Sequence, residues 1–350
     1  MRRIRLLAML GSLGVAAGAF AERLRRHPAF EHDARARGRH ARSPFEMTWL
    51  GWKDIGHRTF QEALDDRLLS VAAGVAFFAL MALVPGLSVL VSLYGLITDP
   101  ATIDQQLAPL FGLLPDSASM LIQEQAHRLA TESSRTLSFN LLVSLAIAGW
   151  SANAGVKSLF DALNVIYEET EKRSFITLNV VSLLATISAV LVVILAVFFI
   201  TVAPALIARA PLSSTVEFVF HILRWPVFFG FATLIIATLY WIGPSRRPAR
   251  FIWVTPGALL SALLWAAVSA GFSFYVSTLG NYQATYGSLS AVIVFMTWLW
   301  LSASVILLGA ELNSELEHQT ARDTTLGAPK PRGARGATMA DKIGPPRSGT

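Results

Sequence analysis

Charged residues are absent from long blocks of this chain, and the longest block is the most informative. Residues 251–310 form a run of 60 positions without an Asp, Glu, Lys, Arg or His. As one helix, such a run would reach roughly 90 Å, several times the length needed to cross a bilayer core. The run must therefore fold back on itself, and the polar residues 280–287 near its middle supply a turn. This pattern predicts a transmembrane hairpin.

Four further charge-free stretches are each long enough to cross a bilayer, which takes about 20 residues. They lie upstream of the hairpin, at 68–98, 136–156, 174–208 and 225–245. The hairpin itself contributes spans at 252–278 and 288–310. The predicted fold is therefore all-α, a polytopic transmembrane helix bundle with six main spans.

Lysine and arginine fall almost entirely on one side of these six spans. With the amino terminus placed inside, the inner segments hold 22 of them, and the outer segments hold only Arg128, Arg135, Arg209 and Arg224. The three arginines within residues 2–5 are left out, because their side is open. Cytoplasmic loops of membrane proteins carry the excess of Lys and Arg. Both termini are therefore predicted to be cytoplasmic.

Composition supports a membrane protein and excludes several kinds of site. The hydrophobic fraction is 53%, only 15% of residues are charged, and the mean hydropathy is +0.51, unlike a soluble domain. With no cysteine, the chain has no disulfide, thiolate zinc site, iron–sulfur cluster or cysteine nucleophile. The net charge of +6 follows from the one-sided basic loops, so no nucleic-acid partner is expected.

Two flanking segments border a membrane domain predicted at residues 67–316. Residues 1–66 form an Arg-rich extension with an apolar stretch at 4–20. That stretch is a cleaved signal peptide, a seventh helix, an interfacial segment or, as we favour, a start-site extension before Met47. Residues 317–350 are basic, rich in Gly and Pro and poor in apolar residues, which predicts a disordered cytoplasmic tail.

Several motifs resemble the YihY/BrkB family of bacterial inner-membrane proteins, which were once mislabelled ribonuclease BN. The resemblance covers roughly residues 49–316 and is most specific in the last third. It rests on Trp150-Ser-Ala-Asn153, Thr255-Pro-Gly-Ala-Leu-Leu-Ser-Ala-Leu-Leu-Trp, Tyr286-Gly287-Ser288-Leu289, Trp298-Leu299-Trp300 and Leu308-Gly309-Ala310-Glu311-Leu312-Asn313. The resemblance implies six helices with cytoplasmic termini and a loose link to envelope phenotypes, including serum resistance and lipid export. It implies no settled chemistry.

Residues that would mark an enzyme are missing from the sequence. The seven histidines do not recur beside acids at the short spacing that a zinc ribonuclease needs for its metal. The chain has no Walker A loop, no Gly-x-Ser-x-Gly elbow and no His-Glu-x-x-His motif. The sequence therefore predicts no enzyme, no catalytic or metal-binding residue and no cofactor.

Polar side chains at membrane depth are the candidates for a solute pathway. They are Asn153, Asn281, Gln283, Glu311 and Asn313, in or near the second, fifth and sixth spans. A buried amide without partners costs roughly 2–7 kcal/mol, so such groups must face other helices or water. The alternative is an interhelical hydrogen bond that only fixes packing.

Two backbone patterns complete the sequence-based candidates. Pro85 and Gly86 lie near the middle of the first span, where proline kinks a helix, so they form a candidate hinge or a static bend. Small residues that recur every four positions let a second helix approach closely, which predicts a packing ridge on the fifth span. Its members are Ala258, Ala262, Ala266 and Ala270.

Two functions stay open from the sequence. The first is a transporter of a lipid or another amphipathic envelope solute, because no array of buried charges marks an ion-coupled pump for small polar solutes. The second is a non-transporting envelope scaffold or virulence factor that docks partners. Both place a multi-pass protein in the bacterial inner membrane, with membrane lipids as partners and a homo-oligomer or an envelope protein as further candidates.

Overall fold

The computed structural model describes residues 34–95, 139–197, 214–278 and 289–346. Within these ranges the fold is all-α, and the β-pairing is limited to one antiparallel bridge between Ala249 and Thr325. A short 3₁₀ turn, Pro44–Glu46, comes first. The helices are α1 (Trp49–Asp65), α2 (Leu68–Gly95), α3 (Phe139–Ile166), α4 (Phe175–Val197), α5 (Ser214–Ile242), α6 (Phe251–Thr278), α7 (Ser290–Gln319) and α8 (Thr338–Asp341).

Helices α2 to α7 follow the six charge-free stretches in order, but their ends differ. α3 continues past the predicted end at 156 to Ile166, and α5 begins before 225, at Ser214. A charge marks the end of an apolar stretch, whereas a helix ends where its backbone pairing ends. Lys157 does not interrupt that pairing, so α3 carries a polar turn beyond its apolar part.

Apolar side chains cover much of the outer surface of the bundle. A soluble protein rarely exposes such large contiguous apolar faces. On α4 the exposed side chains include Phe175, Ile176, Val180, Leu183, Leu184, Ile187 and Leu191. In the described residues, α6 and α7 are long and apolar enough to cross a membrane, and only 33% and 28% of their most apolar windows are buried. Shorter apolar helical stretches lie at Leu68–Ala82, Phe175–Ala189 and Pro226–Ile242.

Helix α7 lies at the centre of the described fold. It contacts α1, α2, α3, α6 and α8. The main hydrophobic core surrounds its second half, with Ile55, Leu163, Tyr240 and Trp253 packed near Leu307. A smaller cluster joins its first half to α6 through Phe272, Val294, Phe295 and Trp298.

One end of the bundle gathers both ends of the described chain and two interhelical loops. Arg39 donates from Nη2 to the Gly344 carbonyl at 3.0 Å, and Ala321 donates its N–H to the Arg39 carbonyl at 2.8 Å. The loops 167–174 and 243–250 join this end through bonds to residues 336–338. We call this region the polar end.

The segments outside the predicted membrane domain are packed into the polar end where the structure describes them. α1 lies within the predicted extension, yet Ile55, Arg58 and Thr59 are buried. Residues 320–346 are packed against the bundle, whereas the sequence predicted a disordered tail. Arg335 donates to the carbonyls of Ala321, Arg322 and Ala340, and Met339 and Ala340 are buried. Disorder is predicted from a low content of apolar residues, and this criterion does not include the side chain–backbone bonds that hold this tail.

Candidate functional site

Among the buried polar side chains in the last turns of α7, four form what we call the α7 polar layer: Glu311, Asn313, Glu315 and Glu317. Each is at most 1% exposed. Glutamate is almost never fully buried unless it is paired. Their partners therefore decide whether this layer is structural or offers a free group.

Glu315 is fully paired within the polar end. Its carboxylate forms an ion pair with Arg58 of α1 and lies 3.2 Å from Nδ1 of His318. Arg58 also donates to Oε1 of Gln319 at 2.8 Å and to the Pro345 carbonyl at 3.0 Å. One guanidinium thus joins α1, α7 and the end of the described chain, so this pair has a structural role.

Glu317 is paired as well, on the opposite side of α7's end. Arg246 donates from Nη2 to Glu317 Oε1 at 2.7 Å, and Thr324 donates to Oε2 at 2.6 Å. The guanidinium of Arg246 lies 4.1 Å from the ring centre of Tyr167. Burial alone would lower the pKa of Arg246, but the charge of Glu317 raises it, so the guanidinium stays protonated.

A separate ion pair fixes the loop between α3 and α4. Arg173 donates to Glu171 from Nε and Nη2 at 2.8 and 2.7 Å, and this bonding lowers the pKa of Glu171 to about 2. Arg173 also donates to the carbonyls of Ile242 and Gly243. The pair therefore ties this loop to the end of α5.

Asn313 bonds the backbone of α6 where Pro256 interrupts it. Its Oδ1 accepts from the Gly257 N–H at 2.8 Å, and its Nδ2 donates to the Val254 carbonyl at 2.9 Å. Proline inside a helix removes a donor and disturbs the pairing around it. Both ends of the amide are thus used to hold α6 against α7, which is the packing alternative for this residue.

Glu311 and Asn153 are different from the rest of the candidates. Glu311 is 1% exposed and its Oε2 has no hydrogen-bond partner among the described residues. Asn153, on α3, is 6% exposed, and its Oδ1 likewise has no partner there. Buried polar atoms are nearly always bonded, and each exception calls for a physical reason.

The predicted alanine ridge on α6 needs correction. Ala258 and Ala262 are buried, whereas Ala266 and Ala270 are exposed. One position along a helix corresponds to a rotation of about 100°, so the alanine row lies about 100° around α6 from the row that begins at Gly257. The row Gly257, Ser261 and Ser269 contacts α7 instead, through bonds to Asn313, Val305 and Trp298.

The structure does not describe two of the remaining pathway candidates, and it describes the backbone of the two hinge candidates. Asn281 and Gln283 lie outside the described residues. Pro85 and Gly86 lie inside α2, which runs from Leu68 to Gly95 as one helix. The hinge therefore stays a prediction.

Sequence reasoning missed the cations of the polar end. The sequence analysis used Arg58 and Arg246 only to assign topology. In the structure they are the buried partners of Glu315 and Glu317. Three acids at the end of a long apolar helix could have predicted these arginines, because buried carboxylates require cations nearby. The Arg58–Glu315 separation of 257 positions hides the pairing.

The apolar outer faces and the two long apolar helices α6 and α7 are typical of a helical membrane protein. A family model described as "Virulence factor BrkB" matches residues 59–333, which is most of the chain. The chain belongs to the BrkB family.

Similar proteins agree with a bacterial membrane location. "Putative ribonuclease-like protein YfkH" of Bacillus subtilis (strain 168) is 34% identical over 253 residues, covering 71% of this chain and 89% of that protein. "UPF0761 membrane protein" of Kangiella koreensis is 25% identical over 75% of this chain, and "UPF0761 membrane protein azo3165" of Azoarcus sp. (strain BH72) is 27% identical over 71%. The chain spans 64% and 60% of the lengths of these last two. No solved structure gives a significant match.

Proposed function

We propose that this protein is a membrane transporter for a lipid or another amphipathic envelope solute. The observation that carries the proposal is the pair of buried, unpartnered oxygens, Glu311 Oε2 and Asn153 Oδ1. Both belong to residues that the sequence marks as pathway candidates. A polar headgroup or water that passes between the helices would satisfy these oxygens.

The contrast within the α7 polar layer supports a functional role for Glu311. Glu315 and Glu317 each have a cation and a further partner, and Asn313 uses both ends of its amide. The fold thus supplies partners for three neighbours and leaves one oxygen of the fourth without any. A purely structural layer would gain stability by pairing or replacing it.

A non-transporting role is the second candidate, and the family's description as a virulence factor favours it. A ribonuclease role has less support. Among the described residues, no group of three or more His, Asp and Glu side chains could hold a metal ion. We propose that the function is not catalytic, which the membership of a family with relatives described as membrane proteins supports.

Transport is tested by reconstituting the full chain into liposomes that carry a fluorescent phospholipid. If the protein moves lipid, it should speed exchange of the probe between leaflets. Glu311→Gln and Asn153→Leu should each slow that exchange at least about tenfold, which corresponds to about 1.4 kcal/mol at the barrier. Their melting temperatures should stay near that of the wild type, because neither oxygen holds a bond to lose.

The matched control is Glu46→Gln, the same change at an exposed carboxylate. It should leave exchange unaltered. Lipid exchange no faster than in empty liposomes, or full exchange in both buried variants, would overturn the transporter and leave the scaffold in its place.

We also propose that all six helices α2 to α7 cross the membrane and that the polar end is cytoplasmic. The 22 basic residues on this side support the orientation. Because the chain has no cysteine, single cysteines report cleanly on topology. In intact cells, an impermeant maleimide should label cysteine at Asp116 or Gln283 and should fail to label cysteine at Lys330. Labelling at Lys330 from outside would reverse the assignment.

A further inference from the structure

A basic cavity lies at the polar end, between the α3–α4 loop, the end of α5 and the described tail. Its volume is about 490 Å³. Four cationic side chains line it, together with an indole and an aliphatic side chain: Lys172, Arg173, Arg246, Arg247, Trp241 and Val181. None of the residues that line it is an acid. The cavity is separate from Glu311 and Asn153.

The charge of the cavity is only partly balanced by acids around it. Lys172, Arg173 and Arg246 pair with Glu169, Glu171 and Glu317 respectively. Arg247 has no carboxylate partner in the described part of the chain. Its Nη2 reaches only the Ala328 carbonyl, at a long 3.5 Å. One full positive charge is therefore left for an external anion.

Two guanidinium nitrogens at this cavity lack partners despite burial. Nη1 of Arg246 and Nη1 of Arg247 donate no hydrogen bond to any of the described residues. The Arg246 side chain is 3% exposed, so its unpaired nitrogen lies behind the cavity wall. Buried donors are nearly always bonded, and guanidinium nitrogens are suited to bind phosphate oxygens. The charge of Arg247, which no carboxylate balances in the described part of the chain, favours a phosphate in the cavity.

The described tail forms one wall of the cavity. The Arg247 N–H donates to the carbonyl of Gly336 at 2.9 Å, and Gly336 lines the cavity. Gly336 has a φ of +74°, a conformation that glycine adopts without strain. This wall fixes the backbone of Arg247 at the edge of the cavity.

The cavity also borders the apolar surface of the bundle. Val181 lies in α4, and Leu184, one turn further, is 59% exposed. Trp241 donates from Nε1 to the Ala249 carbonyl at 2.9 Å, which fixes its indole between the apolar helix and the polar loop. Tryptophan is typical of the membrane–water interface. An anion bound here would therefore have apolar protein surface next to it.

We propose that this cavity binds the phosphate of an anionic phospholipid from the leaflet at the polar end. Arg247, whose Nη2 has only the long bond to the Ala328 carbonyl, binds the phosphate oxygens, and Lys172, whose side chain is 56% exposed, can reach the same group. The acyl chains lie along α4. Basic pockets between membrane helices bind such headgroups by the same chemistry. The site stands whether or not the protein transports lipid.

Lipid binding is measured on the full-length protein in a neutral detergent by native mass spectrometry. Dioleoyl phosphatidylglycerol should bind at least about tenfold more tightly than dioleoyl phosphatidylcholine, as expected for charge-assisted bonds. Arg247→Gln should remove most of that preference, and Lys172→Gln should weaken it. Millimolar inorganic phosphate should not displace the lipid, because it lacks the acyl chains.

Arg250→Gln is the matched control. Arg250 lies in the same loop and is exposed, but it does not line the cavity. It removes the same charge and should keep the preference for phosphatidylglycerol. Equal binding of the two lipids, equal loss in Arg247→Gln and Arg250→Gln, or tight binding of inorganic phosphate that excludes lipid would each overturn the proposal.

Discussion

Replacing Gly257 by alanine should destabilise the folded protein by about 3 kcal/mol, the upper end of the usual cost of overpacking. A Cβ at this position would lie 1.9 Å from the Gly309 carbonyl oxygen and 2.5 Å from Nδ2 of Asn313. The first of these atoms belongs to backbone, so α6 and α7 would have to separate. That movement would also lengthen the bond from the Gly257 N–H to Asn313.

The same change at Gly271 provides the control, because this residue lies further along α6 and a Cβ there would meet nothing within 4 Å. Alanine is favoured over glycine in a helix by about 1 kcal/mol, so Gly271→Ala should leave stability equal or higher. Both variants are compared by thermal unfolding in the same detergent. If Gly257→Ala melts with the wild type, α6 and α7 are not in close contact there.

Local composition was enough to predict the helices and their order. Apolar content over about 20 residues is a property of each stretch alone, so residues 252–278 could be assigned without knowledge of their neighbours. The turn at 280–287 was predicted in the same way, and it stays a prediction because it lies outside the described residues. Helix ends were less accurate, as α3 and α5 show, because backbone pairing extends past the charge that ends an apolar run.

Contacts between helices could not be predicted in the same way. The sequence marked a row of alanines on α6, but α6 and α7 approach closely at Gly257 and Gly309, whose pairing depends on the rotation of both helices. Asn313 was a candidate because it is polar in an apolar segment. Its use of both amide ends on α6 backbone depends on where Pro256 opens that backbone.

The ordered structure of the polar end could also not be predicted from the sequence. Rules for disorder weigh composition, and residues 320–346 are poor in apolar side chains. The structure holds them through Arg335 and through bonds to partners far away in the chain, such as the bond from the Thr338 N–H to Glu169 at 2.6 Å. These bonds exist only after the membrane helices have brought the loops together.

Removing the guanidinium of Arg58 should cost about 3–5 kcal/mol of stability, the range for breaking one half of a buried ion pair. Arg58→Ala leaves the Glu315 carboxylate, which is fully buried, with only His318 as a partner. It also removes the bonds to Gln319 and to the Pro345 carbonyl. We expect a large fall in melting temperature and easier proteolysis after residue 319, because the tail loses its contact with α1.

Lys53→Ala controls for the loss of positive charge, since Lys53 is exposed on the same helix and surface changes usually stay within about 0.5 kcal/mol. The double variant Arg58→Met with Glu315→Leu tests the cause. Replacing both charges by apolar side chains removes the unpaired carboxylate, so it should recover part of the stability that Arg58→Ala loses. Equal stability of the double variant and Arg58→Ala would show that the unpaired carboxylate contributes little, and that the loss comes from the bonds to Gln319 and Pro345.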